Sequence, residues 1–491
     1  MIDFFKKKSI LCAGIALLLL TAVISIFDAA IAVGFLFVCL LTAITFFILF
    51  KLGVSDETIC ALFLITFFIH LAAVLFIYLL NFHPFGGGED FEFYNQTAIE
   101  IAQRLGRGNF SLQGVSLIHY FPVLIGIVYA ITLPQMIVGQ LFTVWLAAFS
   151  IMLLYLLIIE IGGSKKAGFL IGLIASFYPS YLYFGSLLLK DTVVIPLVLG
   201  GILLSVKIVK NFTIPKFILF FIVLTGAIHL RFYVGFALLF SFIISWFLIS
   251  NFELKKRIVY GIVMVILLGF SPFLLNYGYY GMKPLLGYIN PRTITTYREV
   301  VYAPPPPPAE AVVVAPASST PEIPSIPTNP AKPENKPANH EPAKSVSDGK
   351  EGYGSSFIIK AGFENPFTFV TNYIASFVCS LLGPFPWQLR FKRHLFFLLE
   401  TVPWYFCFCF IIYGAYKFIK NNNFSQFLKH YQFTLPIILF CAMALGALSL
   451  YINNYGIIVR IRMPMFLGLL SVMSLSFKYV ELKIGQRRIS L

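Results

Sequence analysis

A bundle of membrane-spanning helices is the fold that the sequence predicts, and three observations predict it. Of 491 residues, 59% are hydrophobic and only 12% are charged, about half the charged fraction of a soluble domain. Mean hydropathy is +0.86, and apolar runs of about 20 residues, long enough to cross a hydrocarbon core as a helix, recur along the chain. Lys and Arg outnumber Asp and Glu, 36 to 21, but they gather in short loops and at the tail. That is how topology determinants are distributed, not how a nucleic-acid surface is built.

The apolar runs 9–27, 29–50, 57–80, 135–160, 166–187, 192–209, 215–229, 233–250, 257–276, 395–416, 431–450 and 463–477 read as spans, about twelve in all. With that count Lys6 to Lys8, Lys51, Lys165, Lys166, Lys207, Lys210, Lys255, Lys256, Arg257, Lys417, Lys420 and Arg488 fall on one side. The positive-inside rule makes that side cytoplasmic, with both termini inside, in the cell (inner or plasma) membrane. Lys6 to Lys8 also resemble the start of a signal peptide, but no clear cleavage site follows Leu20, so the first run reads as a retained anchor.

Five regions follow. Residues 1–80 hold the N-terminal spans, 81–134 an outer loop, and 135–276 a transmembrane core. Residues 277–394 form a large outer loop, and 395–491 the last spans with a basic cytoplasmic tail. Within the first outer loop, 118–133 is apolar but short and opens with His119, Tyr120 and Pro122, which predicts a helix lying along the interface. Residues 357–394, with the apolar run 367–382, read as re-entrant or interfacial. Residues 303–347 carry Pro304 to Pro308 and further prolines every few residues. That composition predicts a disordered, polyproline-like linker. The seven cysteines lie mostly in apolar runs, with neither metal-ligand nor disulfide spacing.

The stretch GGGEDFEFY at 86–94 places carboxylates on glycines beside an apolar segment. After it, Phe91, Tyr94, Ala98, Ile101 and Leu105 fall on one stripe of a helix, with Asn95, Gln96, Glu100, Gln103 and Arg104 on the other face. Asp90 stands at or just before the start of that helix, where a carboxylate caps free backbone amides. Spacing alone is satisfied by a helix cap and an ordinary glycine turn.

A wider set of motifs resembles the GT-C superfamily of membrane glycosyltransferases, nearest to glycosyltransferase family 39, which includes relatives of protein mannosyltransferase and lipid A aminoarabinose transferase. Asp90, Tyr94 and Ala98 match the acidic first outer loop. His119-Tyr120-Phe121-Pro122 resembles the family's juxtamembrane helix, and Leu153 to Lys166 its next span with a basic inner end. Phe177-Tyr178-Pro179-Ser180 followed by Leu187 to Thr192 resembles the next hairpin with its outer Asp. Arg460-Ile461-Arg462-Met463-Pro464 is similar to the basic pattern before a late span. The likeness covers most of 80–210, is looser over 357–475, and omits the proline insert. Here the acidic pair reads Glu89-Asp90, where the family more often has Asp-Glu or Asp-Asp, so the base is one of these two. The chain also has an extra pair of early spans, which preserves sidedness.

The resemblance implies transfer of a sugar from a polyprenyl-phosphate donor to an acceptor (lipid, glycan or protein) at the extracytoplasmic face, among membrane lipids and without nucleic acid. Asp90 is the expected base, with Glu89 as its rival, and a single inverting displacement needs no carboxylate nucleophile. Asp191 is expected at the same surface, orienting the acceptor or helping to hold a cation. No cofactor is required by any spacing; a divalent cation held by Glu89, Asp90 and Asp191 is the one candidate. Candidates for holding the lipid phosphate are Arg460, Arg462, Arg231 and Lys190, with His119 and Tyr120 beside them and Arg390, Lys392 and Arg393 as a further basic group. Two other readings compete. A cell-surface polysaccharide polymerase or ligase shares the many spans and the large loop, and a lipid-linked sugar transporter or flippase shares the apolar body.

Overall fold

The computed structural model describes residues 26, 28–54, 56–82, 88–115, 117, 120–267, 290–301, 359, 362–363, 365–388, 395–452, 454–479, 481–484 and 487–490. Nearly all of the run 9–27, His119, Arg390, Lys392, Arg393 and the proline insert lie outside these residues, and of Glu89 only the backbone is described.

Helix starts and stops follow local chemistry. Helix α1 (Ala29–Lys51) begins where the Asp28 carboxylate accepts hydrogen bonds from the Ala30 and Ile31 amides. Helix α2 (Glu57–Leu80) is capped by Asp56 and ends on Asn81 in the left-handed conformation, one that Asn tolerates better than most residues. Helices α3 (Gly88–Gly106) and α4 (Phe121–Ala130) lie where the 91–105 stripe and the apolar run 118–133 predict helices. Next come α5 (Met136–Glu160), α6 (Lys165–Ser176), α7 (Pro179–Phe184), α8 (Asp191–Lys210), α9 (Ile214–Leu230), α10 (Phe232–Ile249) and α11 (Leu254–Leu267). Past a short helix, α12 (Pro291–Thr295), lie α13 (Pro366–Leu382), α14 (Leu395–Asn421), α15 (Phe424–Tyr431), α16 (Leu435–Tyr451), α17 (Tyr455–Ile461) and α18 (Met463–Met473). The tail ends in an antiparallel hairpin of β1 (Glu481–Ile484) and β2 (Arg487–Ser490), which the apolar pattern did not foretell.

Among the described residues, 7 helices are long and apolar enough to cross a membrane. The pair α17 and α18, bent by 53° at its break, makes an eighth if it is one span. The fold is therefore that of an all-α membrane protein. Helices α5 and α8 form its centre: the apolar windows of both are 78% buried, against 22% for α1 and α14 at the periphery. The expected span 166–187 is not one helix. Pro179 lacks an amide hydrogen and pushes Tyr178 into extended backbone, so α6 stops at Ser176 and α7 starts afresh. Helices α4, α9 and α13 are apolar but shorter than a full span.

Charge sorts to the two ends of the bundle. At one end Lys165 pairs with Asp56 at 3.0 Å and Lys210 with Glu160 at 2.9 Å. Burial pushes the Asp56 carboxyl up, but hydrogen bonds from Lys165 and Tyr155 outweigh it and hold the group down at about 2. The opposite end of α8 begins with Asp191, and there a second set of charges converges.

Candidate functional site

Four chain breaks build this end. Helix α3 brings Asp90 in its first turn, as the third residue of the helix. Its apolar stripe is buried as the spacing predicts, with Phe91, Tyr94, Ala98 and Ile101 inside and Leu105 half-buried. Helix α4 packs closely against it. A Cβ on Gly126 would meet Ile101 Cγ2 at 2.6 Å, so only glycine lets the two backbones come this near. The Tyr129 hydroxyl donates to Asn95 Oδ1 at 2.7 Å, and the Tyr94 ring meets Phe121 edge-on at 5.3 Å. These contacts fix the rotation of α3 and therefore where Asp90 points.

Asp191, the first residue of α8, is 5% exposed. It is not the solvated helix-start residue that its position beside Lys190 would suggest. Arg231 Nε donates to its Oδ1 at 2.6 Å, and Arg460 Nε to its Oδ2 at 2.5 Å. Arg231 sits in extended backbone between α9 and α10, and its Nη1 also donates to the Tyr233 hydroxyl at 3.1 Å. Arg460 occupies the last turn of α17, just before the break. Its Nη1 reaches Asp90 Oδ2 at 2.9 Å, joining residues 370 positions apart. One arginine thus bridges a buried and an exposed carboxylate: the Asp90 side chain is 53% exposed and that of Asp191 is 7% exposed.

Lys190 is buried beside this group. Burial, with Arg231 adding to it, pushes its ammonium down to about 7, against the pull of Asp191. Tyr94 is driven up to about 12 by burial first and by Asp90 second, so its hydroxyl keeps its proton. Among the described side chains, Asp90 and Asp191 balance Arg231 and Arg460, and a proton on Lys190 adds one positive charge.

The remaining candidates fall elsewhere. Tyr120 is exposed and meets the His229 ring edge-on at 5.2 Å, two residues from Arg231. Arg462, expected beside Arg460, is 0% exposed and turns inward. Residues two apart on a helix lie about 200° apart around its axis. Its Nη2 donates to Glu400 Oε1 at 2.9 Å, its Nη1 to the carbonyls of Ser380 at 3.2 Å and Gly383 at 2.5 Å, and its guanidinium lies 4.3 Å from the centre of the Phe466 ring. It is a packing arginine, not a surface phosphate ligand. Glu400 was missed by sequence reasoning. It is 1% exposed on α14 and also accepts from the Ser180 hydroxyl of α7. The available signal was a lone carboxylate in an otherwise apolar span, which rarely lacks a partner. Among the described residues no group of three or more His, Cys, Asp or Glu is placed to hold a metal ion. The space between Asp90 and Asp191 is filled by Arg460.

A cavity of about 500 Å³ opens between α2, α7 and α14. Ile69, Ala73, Phe76, Ile77 and Leu399 line it, and among its lining residues Glu400 alone carries charge. Ser180 and Phe184 belong both to its wall and to that of a small void bordered by Asp191 and Arg460. An apolar chamber and a cationic cluster therefore share a partition.

Fold and site together define an integral membrane protein with a cluster of paired charges at one end of its helical bundle. No protein-family model, no curated protein and no solved structure matches the chain.

Proposed function

We propose that the protein is an integral-membrane glycosyltransferase of the GT-C kind, taking a sugar from a polyprenyl-phosphate donor at the extracytoplasmic face. One observation carries this reading: Arg460, which bridges Asp191 to the exposed carboxylate of Asp90, borders a small void that shares Ser180 and Phe184 with the wall of an apolar chamber sized for part of a lipid chain. Cavities of several hundred Å³ with a few convergent polar groups are the usual form of a ligand site. The arrangement suits an amphiphile whose head is anionic and whose tail is apolar.

In this reading the prenyl chain enters between α2 and α14. The phosphate seats against Arg231, Arg460 and Lys190, where guanidinium forks and an ammonium stabilise it as it leaves. Asp90 accepts the proton of the acceptor hydroxyl or amine. The acceptor atom bonds to the anomeric carbon from the face opposite the phosphate, the bond from that carbon to the phosphate oxygen breaks, and the lipid phosphate departs with the electron pair. The sugar is inverted. Asp191 holds the two arginines in place and does not itself touch the reacting atoms. The twelve-span topology with both termini cytoplasmic belongs to this proposal, supported by the gathering of Lys165 and Lys210 at the end of the bundle away from Asp191.

A lipid-linked sugar transporter is the second reading. The bend between α17 and α18 and the buried Glu400–Arg462 pair favour it, since transporters carry broken helices and intramembrane charges. Purified protein incubated with a panel of polyprenyl-phosphate sugars separates the two. With a cell-envelope membrane extract added as the source of acceptor, the transferase reading expects at least one donor to be consumed, its sugar moving to the acceptor and free polyprenyl phosphate being released. Movement of intact donor across a liposome membrane, with no donor consumed, would replace it with transport.

A further inference from the structure

The pair of Glu400 and Arg462 has no part in the reaction as described, yet it sits at the partition between the chamber and the cationic cluster. Both side chains are buried, at 1% and 0% exposure. Ion pairs this deep are weak contributors to stability, because desolvation offsets their attraction, so a role in function is worth seeking. Glu400 is on the chamber wall, and Arg462 lies directly behind it at 2.9 Å. Arg460, which faces Asp90 and Asp191, is only two residues away on the same broken helix. The break therefore carries two arginines of opposite orientation, one facing the outer cluster and one backing the apolar chamber.

We infer that Glu400 is a specificity-determining residue that fixes how deeply a lipid phosphate can seat, by cancelling the charge of Arg462 behind the chamber wall. The inference rests on the lipid-phosphate reading above. Two cationic regions lie behind the chamber wall, the cluster across Ser180 and Phe184 and Arg462 across Glu400. The outer one, Arg231, Arg460 and Lys190, carries a net positive charge. The inner one is neutral only because the Glu400 carboxylate accepts from Arg462, with Ser180 donating to its other oxygen. With this charge in place the head stops at the outer cluster, within reach of Asp90. Without it, the uncancelled charge of Arg462 behind the wall attracts the head deeper into the chamber, and the anomeric carbon is drawn away from the base.

The test measures binding of a polyprenyl phosphate and of the uncharged polyprenol to the full-length protein in detergent, together with the rate of sugar release from the matching donor. Glu400→Gln is expected to bind the phosphate about tenfold more tightly, as an uncancelled positive charge behind a low-dielectric wall would give. Its sugar release is expected to slow, while polyprenol binding is unchanged. Tighter binding with slower turnover is not what a merely loosened fold produces. The double variant Glu400→Leu with Arg462→Met removes both charges and should restore wild-type affinity and rate. The inference is overturned if Glu400→Gln binds the phosphate no more tightly than wild type, or if the double variant remains slow at wild-type affinity. Should Glu400→Gln fail to fold, the double variant decides alone, and a changed preference for phosphate over polyprenol in it sinks the inference. Wild-type protein that does not distinguish phosphate from polyprenol removes the lipid-phosphate reading itself, and this inference with it.

Discussion

At the scale of single residues, Arg460 and Lys190 carry the clearest consequences. Arg460 bridges Asp191 and Asp90 with two different nitrogens, a geometry that a fork provides and a point charge does not. Arg460→Lys should therefore weaken donor binding about tenfold even though the charge is kept; unchanged affinity in an equilibrium binding assay would speak against the bridge. Lys190 gives a pH dependence. Its ammonium is held down to about 7 by burial and by Arg231 and Arg460, with Asp191 and Asp90 opposing. Below that pH the group is protonated and attracts phosphate, and above it the attraction is lost. Donor affinity should fall as pH rises through about 7, and Lys190→Met should flatten the profile. The same depression acts on stability with a defined sign. The unfolded lysine titrates near 10.4, so burying Lys190 is without penalty at higher pH and becomes destabilising as pH falls toward the folded value.

At the scale of elements, the packing of α3 on α4 sets the direction of Asp90, and Gly126 is the residue that permits it. Gly126→Val should separate the two helices, destabilise the protein by about 1–3 kcal/mol as overpacking does, and lower sugar release; thermal unfolding in detergent reads the first effect. The stripe of α3 was legible in the sequence because helical periodicity is local: Phe91, Tyr94, Ala98 and Ile101 lie on one face whatever they pack against. Asp90, Asp191, Arg231 and Arg460 were each noticeable as charges at the edges of apolar runs. Their convergence was not legible, since it depends on four breaks folding to one end of the bundle. Arg462 shows the limit most plainly. In sequence it has the same chemistry as Arg460, and only the helix rotation sends it inward to Glu400. The split of 166–187 at Pro179 was within reach, because a proline fixes a helix start and unsettles the residue before it.

At the scale of the whole molecule, the account requires Asp90 and Lys165 to face opposite sides of the membrane. In an otherwise cysteine-free protein, Asn109→Cys should be labelled by an impermeant reagent on intact cells and Lys256→Cys only after the cells are permeabilised; labelling of both on intact cells, or of neither, would break the topology. The proline-rich insert is predicted to be dispensable, and its flanks give a physical reason. Arg298 Nε donates to the Ile359 carbonyl at 2.7 Å and its Nη1 to the Ser449 carbonyl at 2.7 Å. Residues before and after the insert are thus tied to each other and to α16. Removing 304–347 shortens a loop whose ends already meet, a change with a small entropic effect, and should leave sugar release within about threefold of wild type. The most direct test of the central claim is a comparison of wild type and Asp90→Asn in liposomes loaded with a polyprenyl-phosphate sugar and acceptor membranes. The variant should still bind donor while its release of polyprenyl phosphate falls about 10²–10⁴-fold. Release at the wild-type rate by Asp90→Asn would contradict that claim.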